Sequence, residues 1–307
     1  MLGAQELRPA AFGRGVALVI GALAILNACG ARSGLAFPED PIEDASPGEG
    51  GHDGDGVCAA QEMALVSAGP FLMGCIPDVP PHDAGMTCSA VDVPLHEVTL
   101  SQFEIDETEV TQSAYQSCVD AGACAAQEDC GSDWLYGIDP TANPCHPMTC
   151  VDWAQAVGYC EWLGKRLPTE AEWEKSARGT DERRYPWGNE PPDCARVRFA
   201  GCPDGDELLE EFEPVGSHPS GASPYGVFDM VGNAQEWTHD WWGSHYYEVS
   251  PSIDPTGPTD PEPGLGGGPP ERVTRGWDTH AIDPWLSARF SDDPLKRRGF
   301  IGFRCVR

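Results

Sequence analysis

"KRLPTEAEWEKSARG", residues 165–179, carries its own boundaries. Thr169 stands three residues ahead of Glu172, the spacing of a reciprocal capping box. In that arrangement the Thr hydroxyl accepts the N–H of the third helical residue, and the Glu carboxylate accepts the N–H of the cap itself. Gly179 supplies the stop. A short helix is therefore expected between Thr169 and Gly179. Glu170 and Glu172 also invite an acid/base reading, but capping and the helix dipole account for both carboxylates.

Working outward, "VDWAQAVGYCEWLG", residues 151–164, opens with Asp152 and Gln155 at the same spacing, places Trp153, Val157 and Cys160 on one face and ends at Gly164. An earlier helix follows Thr111 as N-cap through "QSAYQSCVDA" and stops at Gly122. Between residues 63 and 110 short apolar runs are broken by Pro, Gly and Asp, which predicts short strands. From Tyr185 onward Gly and Pro are frequent and helical periodicity is absent, so loops and short strands are expected, with residues 250–270 a long surface insertion.

The chain has 307 residues, 40% of them hydrophobic, enough to bury one sizeable core, and a main domain is assigned to residues 58–307. Acidic residues outnumber basic ones by 49 to 19, a formal charge of -30, so a polyanion is repelled over most of the surface. Nucleic acid is excluded as a partner on that ground, and the acidity is read as a solvated surface.

Arg8 and Arg14 precede an apolar run at residues 16–28 that is too short to span a bilayer, and it is read as an export signal. It ends in "LNAC", residues 26–29, which is similar to a bacterial lipobox, so Cys29 is the expected lipidation site. Residues 1–28 are then the signal peptide, and residues 29–57 an acidic Gly/Pro-rich tether with little to bury. The tract "HDGDG", residues 52–56, lacks the rest of a calcium loop. The expected location is the bacterial cell envelope outside the cytoplasm, as a periplasmic or outer-membrane lipoprotein anchored to the membrane through its lipid. Thirteen cysteines less Cys29 leave twelve, an even number that reads as a disulfide framework in an exported chain. No C-x-x-C pair supports a zinc site, and Cys118 to Cys124 and Cys194 to Cys202 are spaced for local links.

Six stretches in order, "LMG", "HEVTLSQFEIDETEVT", "VDWAQAVGYCEWLGKRLPTEAEWEKSARG", "YPWGNE", "YGVFDMVGNAQEWTHDWW" and "GFRC", resemble the formylglycine-generating enzyme (sulfatase-modifying factor) family. The resemblance covers the chain from about Met63 to Cys305. It implies an α+β, C-type-lectin-like fold with sparse secondary structure and long loops, stabilised by calcium and disulfides. The best-known members oxidise a sulfatase cysteine to formylglycine with copper and oxygen, using two cysteines between an "RGGS" strand and an arginine ahead of "GFRC". Soft thiolates hold Cu(I) there.

In this chain the landmarks are Arg275 and Gly276, then Arg289, then "GFRC", and no cysteine lies between Cys202 and Cys305. "RGGS" has become "RGWD". No thiolate pair is present in that interval, so copper is not expected as a cofactor. A disulfide frequent in the oxidases is replaced by Ala177 and Leu286. The other family disulfide is matched by Cys160 and Cys305; closing so long a loop contributes roughly 4 to 5 kcal/mol in the chain-entropy model.

"VGNAQEW" resembles the family calcium loop, with Asn233 and Glu236 side chains and carbonyls of Val231, Gly232 and Ala234 as oxygen donors; a tight turn is the competing reading. At the family's second calcium site Arg198 stands where an Asn ligand is expected. Family logic makes "LSAR", residues 286–289, a core strand with Arg289 in a structural polar contact. Arg275, Trp277, Asp278, His280 and Asp283 are the candidate cleft residues. Asp278, His280 and Ser287 are not read as a triad, since proximity in sequence fixes no shared geometry and no G-x-S-x-G surrounds Ser287.

The expected function is a non-catalytic, lipid-anchored binding module for a protein, peptide or glycan, with Trp237, Trp241, Trp242, Tyr246 and Tyr247 as contact residues if exposed. The alternative is an oxidase or other enzyme acting on exported peptides without the usual cysteine pair. An iron-dependent sulfoxide synthase of related fold would need a further helical domain, for which the chain has no room.

Overall fold

The capped helix at the centre of the sequence is also at the centre of the molecule, a computed structural model that describes residues 58, 61–76, 88–126, 130, 142–199, 202, 212–264, 267–277 and 285–307. The signal segment, Cys29, the tether and its "HDGDG" tract, and Asp278, His280 and Asp283 lie outside the described residues.

Three helices form where the caps predict them. Helix α1 (Gln112–Asp120) is capped by Thr111, whose hydroxyl accepts from the Ala114 N–H. Helix α2 (Trp153–Trp162) has the full reciprocal box between Asp152 and Gln155, and α3 (Glu170–Arg178) the same between Thr169 and Glu172. Each such box removes two orphan N–H groups from a helix start and is worth about 1 kcal/mol or more. Gly179 ends α3 at φ 75, and a Cβ there would meet the Pro224 ring at 2.8 Å, so both conformation and space demand glycine.

The strands are short. β1 (Met63–Val66) pairs antiparallel with β4 (Phe103–Asp106), and β2 (Gly69–Met73) with β3 (His96–Leu100). A four-stranded sheet runs in the order β7 (Phe290–Asp292), β6 (Arg272–Arg275), β5 (Gln235–Trp241), β8 (Ile301–Gly302), with only β8 parallel to its neighbour. The expected core strand at residues 286–289 is instead a turn leading into β7. The Leu286 carbonyl accepts from the Arg275 side chain and its N–H donates to the Arg184 carbonyl, so neither group is left for a ladder.

All nine residues of α3 are buried, and the helix packs against β2, β3, β5 and β6. Its apolar members Ala171, Trp173 and Ala177 share a core with Phe71, Val98 and Leu286. Ala177 and Leu286, which replace the absent family disulfide, thus meet in that same apolar cluster. A second cluster holds Tyr115, Tyr159, Leu167, Trp237 and Phe303, with the Tyr115 and Tyr159 rings stacked at 5.6 Å. Burying each such large side chain contributes roughly 1.5–3 kcal/mol.

Six disulfides tie these layers: Cys58–Cys145, Cys75–Cys88, Cys118–Cys124, Cys130–Cys150, Cys160–Cys305 and Cys194–Cys202. Their Cα separations run from 5.2 to 5.7 Å, within disulfide reach. Cys160–Cys305 and both local links are as the sequence suggested. Among the described residues no helix is long and apolar enough to cross a membrane.

Candidate functional site

Helix α3 and strand β6 assemble a buried ionic network. The Arg275 guanidinium donates to Glu170 Oε1 at 2.8 Å, to Glu174 Oε2 at 2.7 Å and to the Leu286 carbonyl at 2.7 Å. Arg289 closes a bidentate pair on Glu170, at 2.6 and 2.9 Å, and also donates to the Val91 carbonyl. Arg178 donates to Glu174 one turn along the helix. Burial alone would raise both carboxylates, but the guanidinium groups hold Glu170 and Glu174 below the usual carboxylate range.

Arg289 is therefore the structural contact expected of it. Glu170 is not merely a helix-dipole residue. It is 1% exposed and joins Arg275, Arg289 and the Tyr247 hydroxyl, whereas Glu172 does serve as the cap and pairs with Arg166. The composition of α3 does not by itself reveal this network, since six polar or charged residues around Trp173 fit a surface helix equally well. Asp92 faces the same cluster. Burial pushes its carboxyl up to about 6 despite Arg275 and Arg289, and its Oδ1 has no partner.

Two residues beyond Arg275, Trp277 donates its indole N–H to the Trp285 carbonyl and sits edge-on to Trp285 at 5.1 Å and to Phe290 at 4.6 Å. Of the candidate cleft residues, Arg275 is buried and Trp277 partly exposed. Ser287 is 6% exposed, and its supposed triad partners lie outside the described residues. Of the five aromatic contact candidates, Trp237, Trp242, Tyr246 and Tyr247 are buried and Trp241 alone is partly exposed.

The "VGNAQEW" turn is built for close approach. Gly232 has φ 84, and a Cβ there would meet Val197 Cγ2 at 2.4 Å and the Arg198 carbonyl at 2.7 Å. Asn233, at φ 56, accepts from the Glu213 N–H and donates to Glu109 Oε1. The Glu236 carboxylate is taken by Arg304, at 2.7 and 2.8 Å, and by the Trp173 indole N–H at 2.9 Å. Val231 and Ala234 are buried beside it.

Two acids absent from the sequence-derived ligand set lie against this turn. Glu109 and Asp229 are both buried; burial raises both carboxyls, the charge of Asp229 adds to the rise at Glu109, and among the described residues Glu109 Oε2 has no partner. Glu109 Oε1 accepts from the Asn233 amide and Asp229 Oδ2 from the Gly216 N–H, so it is Glu109 Oε2 that is left for a proton or a cation. Asp229, set between Phe228 and Met230 in an otherwise apolar run, was the legible sign. Among the described residues no group of three or more His, Cys, Asp or Glu side chains is spaced to hold a metal. Hard-cation sites, however, draw on amide and backbone oxygens as well. At the second position, Arg198 lies 3.9 Å from Glu213, whose carboxylate pairs with His218 at 2.6 Å and raises the imidazole above its ordinary range.

A family model described as "Sulfatase-modifying factor enzyme 1-like domain" matches residues 53–307. The chain is 33% identical over 265 residues to the formylglycine-generating enzyme of Streptomyces coelicolor, covering 70% of this chain and 81% of that enzyme. It is 31% identical over 301 residues to that of Thermomonospora curvata, covering 80% and 93%. Among solved structures, PvdO from Pseudomonas aeruginosa superposes with a TM-score of 0.63 at 28% identity, covering 81% of this chain and 94% of that one.

Proposed function

Since the chain belongs to the sulfatase-modifying factor family, we propose that it is a lipid-anchored, non-catalytic member that binds a protein, peptide or glycan outside the cytoplasm. One observation carries this reading: all twelve cysteines of the domain are engaged in disulfides. Cu(I) needs soft thiolate ligands, and a disulfide sulfur is neither a thiolate nor a nucleophile. Where the relatives' cysteine chemistry would stand, this chain places Arg275 on two glutamates and Trp277 against two aromatic rings. Six disulfides also fit an extracytoplasmic protein.

The test uses disulfide-intact protein with copper, oxygen and a sulfatase-type cysteine peptide. Formylglycine should not rise above the copper-only control by mass spectrometry. Its catalytic appearance would overturn the non-catalytic reading.

Calcium belongs to the same proposal, with its ligand set adjusted. Glu236 is committed to Arg304, so the charge for a cation at the 231–236 turn comes from Glu109 and Asp229, with the Asn233 amide and the Val231, Gly232 and Ala234 carbonyls as neutral oxygens. The orphaned Glu109 Oε2 supports this choice. Calcium at a hundredfold over Kd should stabilise the domain by about 2.7 kcal/mol, roughly 5–10 °C in Tm, and chelator should reverse it. Glu109→Gln should abolish the shift. No shift in the parent protein, with no metal found by elemental analysis, would refute the site.

A further inference from the structure

Strand β1 bonds to β4 along one side, and its other side is unpaired. The Glu62 carbonyl accepts from the Glu107 N–H, so residues 62, 64 and 66 bond across to 107, 105 and 103. Glu104 and Asp106 turn the other way, their N–H groups donating to the Arg307 and Cys305 carbonyls. The same alternation points the N–H and C=O groups of Met63 and Leu65 away from β4, where no described residue bonds to them. The strand is open to solvent along this stretch: Leu65 is 52% exposed, Met63 is partly exposed, and Glu62 and Ser67 are exposed. The free stretch ends at Ser67, whose carbonyl accepts from Lys175 Nζ at 2.8 Å.

Two other strand edges are occupied. Residues 305–307 lie along β4, and Thr99 of β3 exchanges backbone bonds with Ser252 and Asp254. Uncovered edges are ordinarily blunted by Lys, Pro or a bulge. "QEMALVS", residues 61–67, contains neither residue, and the β1–β4 register runs unbroken. Beside this edge stands an uncompensated pair of acids. Glu62 faces Glu107 across the ladder, and neither has an ion-pair partner among the described residues. Burial, and then the Glu62 charge, raises the Glu107 carboxyl. Like charges opposed across a ladder are unfavourable until a cation joins them.

We propose that the β1 edge docks an extended, cationic peptide segment, which pairs antiparallel with the Met63 and Leu65 backbone, lays an apolar side chain beside Leu65 and brings a Lys or Arg to Glu62 and Glu107. This rests on the binding reading above and selects a peptide as its ligand class. Main-chain bonds to an exposed edge supply affinity, and alternate side chains supply selectivity. The same two carboxylates disfavour the acidic tether, residues 29–57, as the occupant, and the charge of -30 on each chain disfavours a second copy. A glycan has no alternating N–H and C=O groups to match the ladder.

The experiment titrates disulfide-intact protein with an end-capped six-residue peptide of alternating valine and threonine. It carries one lysine near its C-terminal end, the end that antiparallel pairing brings to Glu62. NMR should show saturable shifts of the Met63 and Leu65 amides, with Kd on the order of 0.1 mM, and hydrogen exchange at both should slow. The same peptide with glutamate for lysine should bind about tenfold more weakly, and Glu62→Lys should reverse that preference. A version N-methylated at its central amides, which keeps every side chain, should not bind. Leu65→Pro removes a donor that makes no bond within the fold, so it should weaken binding at least about tenfold with Tm nearly unchanged. If that variant does not fold, the N-methylated peptide still decides. No saturable shift, shifts that leave Met63 and Leu65 unmoved, or equal binding of the N-methylated peptide would each overturn the site. Self-association that Leu65→Pro abolishes would give the edge to a second copy and overturn it as well. Failure here leaves the non-catalytic reading standing, because formylglycine production is scored by a different measurement.

Discussion

Glu236→Ala should destabilise the domain by about 3–5 kcal/mol, read as the midpoint shift in urea unfolding, because it leaves the buried Arg304 without its carboxylate. Arg304 is fully buried, and its remaining partners are the carbonyls of Asp106, Glu107 and Phe228. Those oxygens satisfy N–H groups but do not balance a charge. Trp173, in the middle of α3, loses its acceptor at the same time. The loss should be the same with calcium or with chelator, since Glu236 serves the guanidinium. A loss confined to calcium-loaded protein would return Glu236 to the metal. The paired variant Glu236→Leu with Arg304→Leu should recover part of the stability, as replacing both members of a buried pair is less costly than orphaning one.

The second large effect concerns Cys160–Cys305, which closes a loop with a sequence separation of 145. Replacing both cysteines with alanine should cost about 4–5 kcal/mol on the chain-entropy account, with the native-state core nearly unchanged. The bridge sits inside the cluster of Tyr115, Tyr159 and Phe303, so the alanine pair also leaves a small void there. Serine replacements should cost more than alanine, because two hydroxyls would be buried among aromatic rings. A loss below about 1 kcal/mol would show that packing alone holds the chain end.

How far the sequence reached can be seen along α3. Its two ends were legible because capping is local: Thr169, Glu172 and Gly179 specify a start and a stop without reference to the rest of the molecule. What Glu170 and Glu174 do was not legible, because their partners Arg275 and Arg289 arrive from about a hundred residues away in sequence. The same division holds for the disulfides. The short links Cys118–Cys124 and Cys194–Cys202 followed from spacing, and Cys160–Cys305 from resemblance to a family. Cys58–Cys145, Cys75–Cys88 and Cys130–Cys150 needed the fold.

At the 231–236 turn the partners of the acidic side chains were not legible. Sequence reading gave the carboxylate role to Glu236 because it lies within the turn. Long-range packing pairs that residue with Arg304 and brings Glu109, from the connection between β4 and α1, to Asn233. The strand expected at residues 286–289 failed for a related reason: a side chain from β6 captured the Leu286 carbonyl that a ladder would have used. Exposure of the aromatic contact residues was equally out of reach, since a Trp on a core-facing and on a solvent-facing position of a strand are the same letter. Trp237 is fully buried and Trp241 is not.

The last residues are woven into three separate parts of the molecule: Cys305 into α2, Val306 between Ile105 and Arg166, and the Arg307 backbone onto Glu104. The paired strands β1 and β4 therefore gain their third neighbour, and the second aromatic cluster closes, only once residues 301–307 have docked. Removing residues 301–307 should leave no near-native product, only material for proteolysis.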